Sequence, residues 1–265
     1  SFWNAGTITV SNGFQHRYFK NELPPKNKKT DVRGWGLTDG ALFEYVTEIL
    51  AESEQPYFAY VVTVMCHHPY SATSNPTVDF PPAKKTSMVR RYLRCAAARD
   101  LAVKNLLIRL AETERGRRTV ICLAGDHDAN LSQAEMRKAG YPVYPENEMV
   151  PAMIGTVAEF LGLEESPLKA HQKRDFGGQM DLAPTLGHVF SLNMEESMFV
   201  GWNLFATQNR GPHRCRVGTV MDQNGIIQLE EDARLPGEDG LFEASEMLLR
   251  WDKIRGFILE KDSRV

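Results

Sequence analysis

Two kinds of apolar pattern alternate along the chain, and together they predict an α/β protein. Residues 58–65 form a nearly continuous, β-branched apolar run, which is typical of a strand covered on both faces. Residues 88–114 carry apolar side chains at helical spacing among many Arg and Lys residues, and Gly116 is expected to end this amphipathic helix. Residues 119–124 then form a second apolar run, so we expect strand, helix and strand in succession.

A strand, a helix and a second strand in succession predict a parallel crossover. The first strand runs into His67 and His68, and the second runs into Asp126 and His127. Because parallel strands have their carboxyl ends on one edge, where open α/β sheets bind ligands, both histidine-bearing loops should meet there.

The rest of the chain continues the same pattern. We expect a third strand at 149–154, a helix at 181–190 with Asp181 as N-cap, a hairpin of 217–221 with 226–229, and a final amphipathic helix at 241–260. These elements predict a three-layer α/β/α sandwich with a mostly parallel central sheet. The predicted division is a catalytic-type domain at 1–210 and a hairpin and helix at 211–265 that pack on it.

Composition narrows the possible functions. The 265 residues are 42% hydrophobic and 25% charged, as in ordinary globular proteins, and the net charge of −3 offers no basic footprint for nucleic acid. No apolar run reaches the ~20 residues that a membrane span requires. Four cysteines make no CxxC pair; Cys66 and Cys122 end neighbouring predicted strands, and we interpret them as small core residues that could approach each other.

The first candidate for chemistry is Gly125-Asp126-His127, at the end of a predicted buried strand. A carboxylate and an imidazole side by side are natural ligands of a divalent metal. The alternative is structural: Asp126 or Asp128 caps the next helix, and His127 is a surface residue.

The second candidate is His67-His68-Pro69-Tyr70, at the end of the parallel strand. Its imidazoles could donate to an anionic oxygen or bind a metal. In the alternative interpretation they are loop histidines that bond only backbone.

Six short motifs follow one another in a fixed order: Phe2-Trp3-Asn4, Gly13-Phe14, Gly34-Trp35-Gly36-Leu37-Thr38-Asp39, His67-His68-Pro69-Tyr70, Gly125-Asp126-His127 and Gly177-Gly178-Gln179-Met180-Asp181-Leu182-Ala183-Pro184-Thr185-Leu186. Together they resemble the extracellular catalytic domain of lipoteichoic acid synthase and its sulfatase-like relatives, in the alkaline phosphatase superfamily. The similarity extends from Phe2 to about Leu204.

The resemblance implies an extracytoplasmic enzyme that uses a threonine nucleophile on a bound manganese ion to take phosphoglycerol from a lipid head group. The family's metal-binding aspartate and histidine correspond to Asp126 and His127. Its substrate-binding histidine corresponds to His67, supported by His68, and its phosphate-side tryptophan corresponds to Trp3.

Two departures from the family pattern limit what this chain should do by itself. Ala5 stands where the family has a phosphate-binding arginine. The family's metal-binding glutamate and nucleophilic threonine lie upstream of Phe2-Trp3-Asn4, whereas this sequence starts at Ser1. We therefore expect a C-terminal portion of a larger catalytic domain, inactive alone and attached to the membrane through a preceding region.

Other functions and residues remain possible. A non-catalytic module of the same fold could bind lipid head groups or a partner protein, and a true sulfatase would need an upstream cysteine or serine. Several further residues are interpreted as structural or surface positions rather than parts of a site: Trp35, Thr63, Thr185, His171, His188 and His213.

Overall fold

The computed structural model describes residues 5–70, 87–141, 150–163, 177–194 and 201–206, together with the strand backbones at 213–214, 219–222 and 225–228. The chain divides into two compact units, Ser1–Pro167 and Leu168–Val265. The domain boundary expected near residue 210 stays a prediction. Within the described part, no helix is both long enough and apolar enough to cross a membrane.

The first unit contains six helices and four short strands among its described residues. In chain order these are α1 (Ala5–Ser11), β1 (Val32–Arg33), β2 (Gly36–Leu37), α2 (Asp39–Glu52), α3 (Met88–Leu110), α4 (Glu114–Arg117), β3 (Val120–Ala124), α5 (Gln133–Lys138), β4 (Ala152–Thr156) and α6 (Val157–Phe160).

The core of this unit lies where α2, α3 and α6 pack together. Phe43 of α2 meets Leu106, Leu107 and Leu110 of α3, and Val157 of α6 is completely buried against them. Apolar side chains three and four residues apart lie on one face of a helix, so the sequence pattern of α3 already defines this contact.

The predicted long helix is confirmed, but its end differs. Helix α3 stops at Leu110, with Ala111 as C-cap, and Gly116 lies inside the separate short helix α4 rather than ending α3. Thr113 accepts a hydrogen bond from the Gly116 amide and so starts a new helix after a break.

The predicted parallel pairing is wrong for the described residues. Strand β3 matches the expected second strand, but it pairs antiparallel with β4, whose register joins Val120 to Thr156 and Ala124 to Ala152. Residues 58–64 form no ladder strand, residue 65 lies in a turn, and the run is largely exposed rather than covered on both faces. β-branched residues favour an extended backbone in a sheet, but strand formation also requires a neighbouring strand that provides hydrogen-bond partners.

Two hydrogen bonds nevertheless link the chain around residues 58–65 to the chain around β3. The Tyr57 hydroxyl lies 3.0 Å from the Thr119 hydroxyl, just before both segments. Beyond their ends, the Asn130 amide donates to the Tyr70 hydroxyl at 2.9 Å. The two histidine-bearing loops therefore do meet at one end of this pair of segments, as predicted.

The second unit begins, among its described residues, with a 3-10 turn (Gln179–Asp181) that leads into α7 (Leu182–Val189). Asp181 holds the predicted N-cap position, but its carboxylate accepts from the Gly178 and Trp202 amides instead of capping α7. The buried Thr185 hydroxyl donates to the Asp181 carbonyl and accepts from the Leu204 amide. The structural interpretation of Thr185 is confirmed.

The predicted hairpin is confirmed near the end of the chain. Three strands, β5 (His213–Arg214), β6 (Thr219–Asp222) and β7 (Gly225–Gln228), form one antiparallel sheet in that order. The expected final helix at 241–260 lies outside the described residues.

Candidate active site

Asp126 and His127 occupy the loop that leaves β3, and both side chains face solvent. The His127 Nε2 atom lies 3.8 Å from Asp126 Oδ2, with the side chains 62% and 84% exposed, respectively. The His127 amide donates to Asp126 Oδ1 at 3.1 Å. One carboxylate oxygen is thereby fixed by the backbone, while the other lies beside the imidazole.

The hydrogen bond of His127 determines which ring nitrogen can bind a metal. Its Nδ1 atom lies 2.7 Å from the Asp128 carbonyl oxygen. Because a carbonyl only accepts, Nδ1 carries the proton, and Nε2 of the neutral ring keeps its lone pair. This arrangement, with Nδ1–H on a backbone carbonyl, commonly orients metal-binding histidines.

His67 has the same arrangement on the opposite loop. Its Nδ1 atom lies 2.8 Å from the His68 carbonyl oxygen, and both histidines are exposed. The His68 ring lies edge-on to the Tyr70 ring at 5.6 Å between centroids. The backbone bond fixes the orientation of the His67 ring, and its Nε2 atom is the polar atom left for a ligand.

Trp35 is part of this site, although the sequence interpretation placed it only in the packing of a turn. Gly34, with φ of +55°, begins the two-residue turn between β1 and β2, a conformation that glycine adopts readily. The turn carries Trp35 to the His67 ring, at 4.4 Å between centroids, and the indole is 52% exposed. Trp35 therefore also contacts His67, and the expectation that it does not touch substrate stays a prediction.

Tyr70 fastens the two loops together. It is almost fully buried, its ring meets Tyr92 at 5.3 Å, and its hydroxyl accepts from the Asn130 amide. Burial raises the pKa of the Tyr70 phenol above its ordinary value, and the nearby Asp128 carboxylate adds to this. The Tyr70 phenol is therefore neutral at physiological pH, and its hydrogen bond to Asn130 links the two loops.

Beneath the His67 loop lies an ion pair that sequence analysis missed, between the buried Asp39 and the partly exposed Arg99. Asp39, fully buried at the start of α2, accepts from Arg99 Nε at 3.0 Å and from the Met65 amide at 3.4 Å. Burial raises the pKa of the Asp39 carboxyl, and Arg99 offsets part of that rise. Asp39 thus connects α2, α3 and the segment that enters the histidine loop.

Gly125 sets the path of the Asp126 loop because a neighbouring backbone passes close to it. Its amide donates to the Pro151 carbonyl at 3.1 Å, and a Cβ added there would lie 2.7 Å from Val150 Cβ. We expect Gly125→Ala to destabilise the protein by about 1–3 kcal/mol and to displace Asp126. Urea denaturation measures the loss, and Gly40→Ala is the matched control, because nothing lies within 4 Å of its added Cβ. Equal effects of both substitutions would contradict the close-approach explanation.

The other residues singled out from the sequence have the following outcomes. Trp3 and His171 lie outside the described residues, as does the side chain of His213. His188 is exposed near the end of α7, in the second unit, as expected for a surface histidine. Thr63 lies in the extended segment rather than in a ladder strand, so only part of its structural interpretation is correct.

The donor types at Asp126 and His127 fit a divalent metal, but their number is too small for a complete site. Two ligands that each lie ~2.1 Å from one ion are separated by roughly 3–3.5 Å, so the 3.8 Å between Nε2 and Oδ2 needs only a small adjustment. Within the described part of the chain, no group of three or more His, Cys, Asp or Glu side chains converges. Further donors are required to complete the coordination.

The arrangement of two histidine-bearing loops is consistent with the protein family that comparison identifies. A sulfatase family model matches residues 1–192, and the chain belongs to the sulfatase family. Within that family, the chain is similar to lipoteichoic acid synthases.

Individual relatives share the fold at low sequence identity. Lipoteichoic acid synthase 2 of Bacillus subtilis is 22% identical over 96% of this chain and 41% of its own length. Lipoteichoic acid synthase 1 of the same organism is 23% identical over 78% of this chain and 32% of its own length. These relatives are enzymes, and the chain spans about a third to two fifths of the length of the curated relatives it matches.

Solved structures confirm the α/β fold class. The lipoteichoic acid synthase LtaP from Listeria monocytogenes has a TM-score of 0.71 and 17% identity, covering 96% of this chain and 67% of that one. An alkaline phosphatase superfamily protein from Vibrio parahaemolyticus has a TM-score of 0.63 and 17% identity, covering 91% of this chain and 59% of that one.

Proposed function

We propose that these residues form part of a metal-dependent phosphoglycerol transferase, or a related phosphodiesterase or phosphatase, acting on lipid head-group phosphates. The observation that carries the proposal is the pairing of His127 Nε2 with Asp126 Oδ2 at 3.8 Å, in a loop fastened through Tyr70 and Asn130 to the loop of His67. Metal donors and a phosphate-binding imidazole thus lie on two joined loops.

Asp126 and His127 would hold the metal, with Mn²⁺ as the favoured ion. When bound, such an ion acts as a Lewis acid that neutralises phosphoryl oxygens and lowers the pKa of a hydroxyl nucleophile. The carbonyl of Asp128 orients His127 for this role by fixing its tautomer. The open exposure of both side chains leaves room for the remaining ligands and the substrate.

His67 would bind a phosphate oxygen, with His68 in a supporting position. The His67 ring is held by the His68 carbonyl and contacts Trp35. It therefore loses little orientational freedom when substrate binds. To donate to an anionic oxygen through Nε2, the ring must take up a second proton, and an anionic phosphate favours that form. From the family pattern alone, we propose that the Trp3 side chain contacts the phosphate group of the substrate.

The nucleophilic threonine and the metal-binding glutamate are proposed to come from a segment that precedes Ser1 in a longer parent. Two observations support this: only two metal donors are found together in the described residues, and the matched relatives are more than twice as long as the matching region. We further propose that the same preceding region attaches the domain to the membrane, with the site on the extracytoplasmic face.

Activity of the intact cellular protein tests this function. Its mass, compared with 29.9 kDa for these residues, reports whether a preceding segment exists. We expect the longer protein to cleave phosphatidylglycerol when Mn²⁺ is present and to stop when EDTA is added, while the 265 residues alone stay inactive. Metal-independent cleavage, or cleavage by the short chain at the parent's rate, would contradict the proposal.

A second candidate, a non-catalytic module that binds lipid head groups or a partner protein, is favoured by one residue. Ala5 cannot make the charge-assisted phosphate bond of the family's arginine. If this candidate is correct, the intact protein binds vesicles containing phosphatidylglycerol but releases no product from them, with or without Mn²⁺. An Ala5→Arg substitution would then tighten vesicle binding without creating turnover.

A further inference from the structure

Two cysteine thiols touch each other directly behind the His67 loop. Cys66 immediately precedes His67, and Cys95 lies on α3 with no exposed surface. The Cys66 and Cys95 side chains lie within hydrogen-bonding contact and belong to the same apolar cluster. Sequence interpretation considered Cys122 as the neighbour of Cys66, but the contact is with Cys95.

The surroundings of the two thiols are packed. Cys66 and Cys95 belong to one apolar cluster with Met65, Tyr70 and Tyr92, next to the ion pair below the loop. Both are thiols in this structure. Cys95 is fixed by α3, and Cys66 packs against the same apolar cluster, so both cysteines lie in one buried environment.

We propose that Cys66 and Cys95 form a structural disulfide that fastens the histidine loop to α3. The bond would close a loop of about 30 residues, a length at which a cross-link restricts the unfolded chain substantially. It rests on the proposed extracytoplasmic location, since disulfides persist in oxidising compartments.

Formation of the bond follows thiol–disulfide exchange with an oxidant that is itself a disulfide, on a protein or a small molecule. The Cys66 thiolate attacks one sulfur of the oxidant and displaces the other as a thiol. The Cys95 thiolate then displaces the remaining half, so two cysteine thiols become one disulfide, their two protons pass to the two departing sulfurs, and the oxidant is reduced to two thiols.

The environment of Cys66 indicates when this reaction takes place. The hydrogen bond to Cys95 and burial both raise the pKa of the Cys66 thiol above its ordinary value, against a smaller opposing effect of Arg99. The folded thiol pair therefore reacts slowly at neutral pH, because the thiolate is the nucleophile. Oxidation during folding, before the cluster closes, is the faster route.

The test compares the protein from an oxidising compartment with the protein from a reducing cytosol. Each is alkylated under denaturing conditions without reductant, digested and analysed by mass spectrometry. We expect a cross-linked Cys66–Cys95 peptide pair in the exported protein, lighter by two hydrogen atoms than the two thiol peptides. Alkylation of both cysteines in the exported protein, or pairing of either with Cys122 or Cys215, would overturn the proposal.

Thermal unfolding supplies a second readout with a matched control. Reductant should lower the Tm of the exported protein by about 5–10 °C. Cys122→Ser, which changes another partly buried cysteine, should keep this reductant effect, whereas Cys66→Ser should lose it. An equal reductant effect in the Cys66→Ser variant would contradict the assignment.

The outcome can be separated from that of the proposed function. Neither peptide mapping nor the reductant effect uses a metal or a phosphodiester, and refolding in glutathione disulfide tests the pairing without reference to location. If the Cys66–Cys95 cross-link is absent from both the exported and the refolded protein, the disulfide is rejected. The proposed Mn²⁺-dependent cleavage is then unaffected, because it is tested by a separate assay.

Discussion

Replacing Asp126 with alanine should abolish Mn²⁺ binding by the intact protein and, with it, phosphodiester cleavage. The substitution removes the carboxylate whose Oδ2 lies beside His127 Nε2 and leaves one of the two donors found together. Loss of outer-shell partners alone costs about 10–100-fold in metal affinity, so loss of a ligand should cost at least about 100-fold. Isothermal titration with Mn²⁺ and a phosphatidylglycerol cleavage assay measure the two effects.

The control for Asp126→Ala is Asp100→Ala, which removes the same charge from an exposed position on α3. It should leave Mn²⁺ affinity and cleavage unchanged, because surface charges far from a site are largely screened by salt. His127→Ala should match Asp126→Ala. Undiminished Mn²⁺ affinity in either site variant would remove the basis of the proposed metal centre.

Replacing Arg99 with methionine should produce the largest loss of stability among single substitutions near the site. It leaves the Asp39 carboxylate, which has no exposed surface, without its charged partner. Because the Arg99 side chain is 40% exposed, we expect a loss of about 2–3 kcal/mol, below the roughly 3–5 kcal/mol of a fully buried pair. Arg109→Met, also on α3, is the control: it breaks an exposed ion pair with Glu44 of α2 and should cost less than about 1 kcal/mol.

The loss of unfolding free energy caused by Arg99→Met should increase with pH. Burial already raises the Asp39 pKa above its ordinary 3.8, and loss of Arg99 raises it further. The folded state then keeps a proton that the unfolded chain has released, so stability falls as the pH rises through the folded pKa. Urea midpoints should show a smaller deficit near pH 5 than near pH 8, and a deficit independent of pH would contradict this account.

The sequence predicts α3, α7 and the hairpin of β6 and β7 close to their observed positions, because their periodicity and turn residues are clear, but it misses α2, which packs against α3 in the core. The strand at 58–65 fails in both pairing and burial: Phe58 and Tyr60 are each 70% exposed. A β-branched apolar pattern suits a covered, pleated surface, but the neighbouring chain that would cover it is not part of the pattern. The loops still meet, because Tyr57 and Tyr70 tie the two segments at both ends.

The candidate site is only partly predictable from sequence. Adjacent residues such as Asp126 and His127 can be recognised from a short motif and a strand end. The contacts of Trp35 with His67, and of Asp39 with Arg99, join positions 32 and 60 residues apart and depend on tertiary packing. The one available indication was that Trp35 and Asp39 belong to the same glycine-rich motif, which resembles the family pattern.

The segment at 58–65 has a consequence for handling the protein at high concentration. Phe58 and Tyr60 are each 70% exposed and Val62 is 57% exposed, in a run without charge or proline. Such runs pair readily with copies of themselves into intermolecular sheets, and no lysine or other gatekeeper interrupts this one. We therefore expect aggregation through this segment, rather than unfolding, to limit the concentration at which these 265 residues stay in solution.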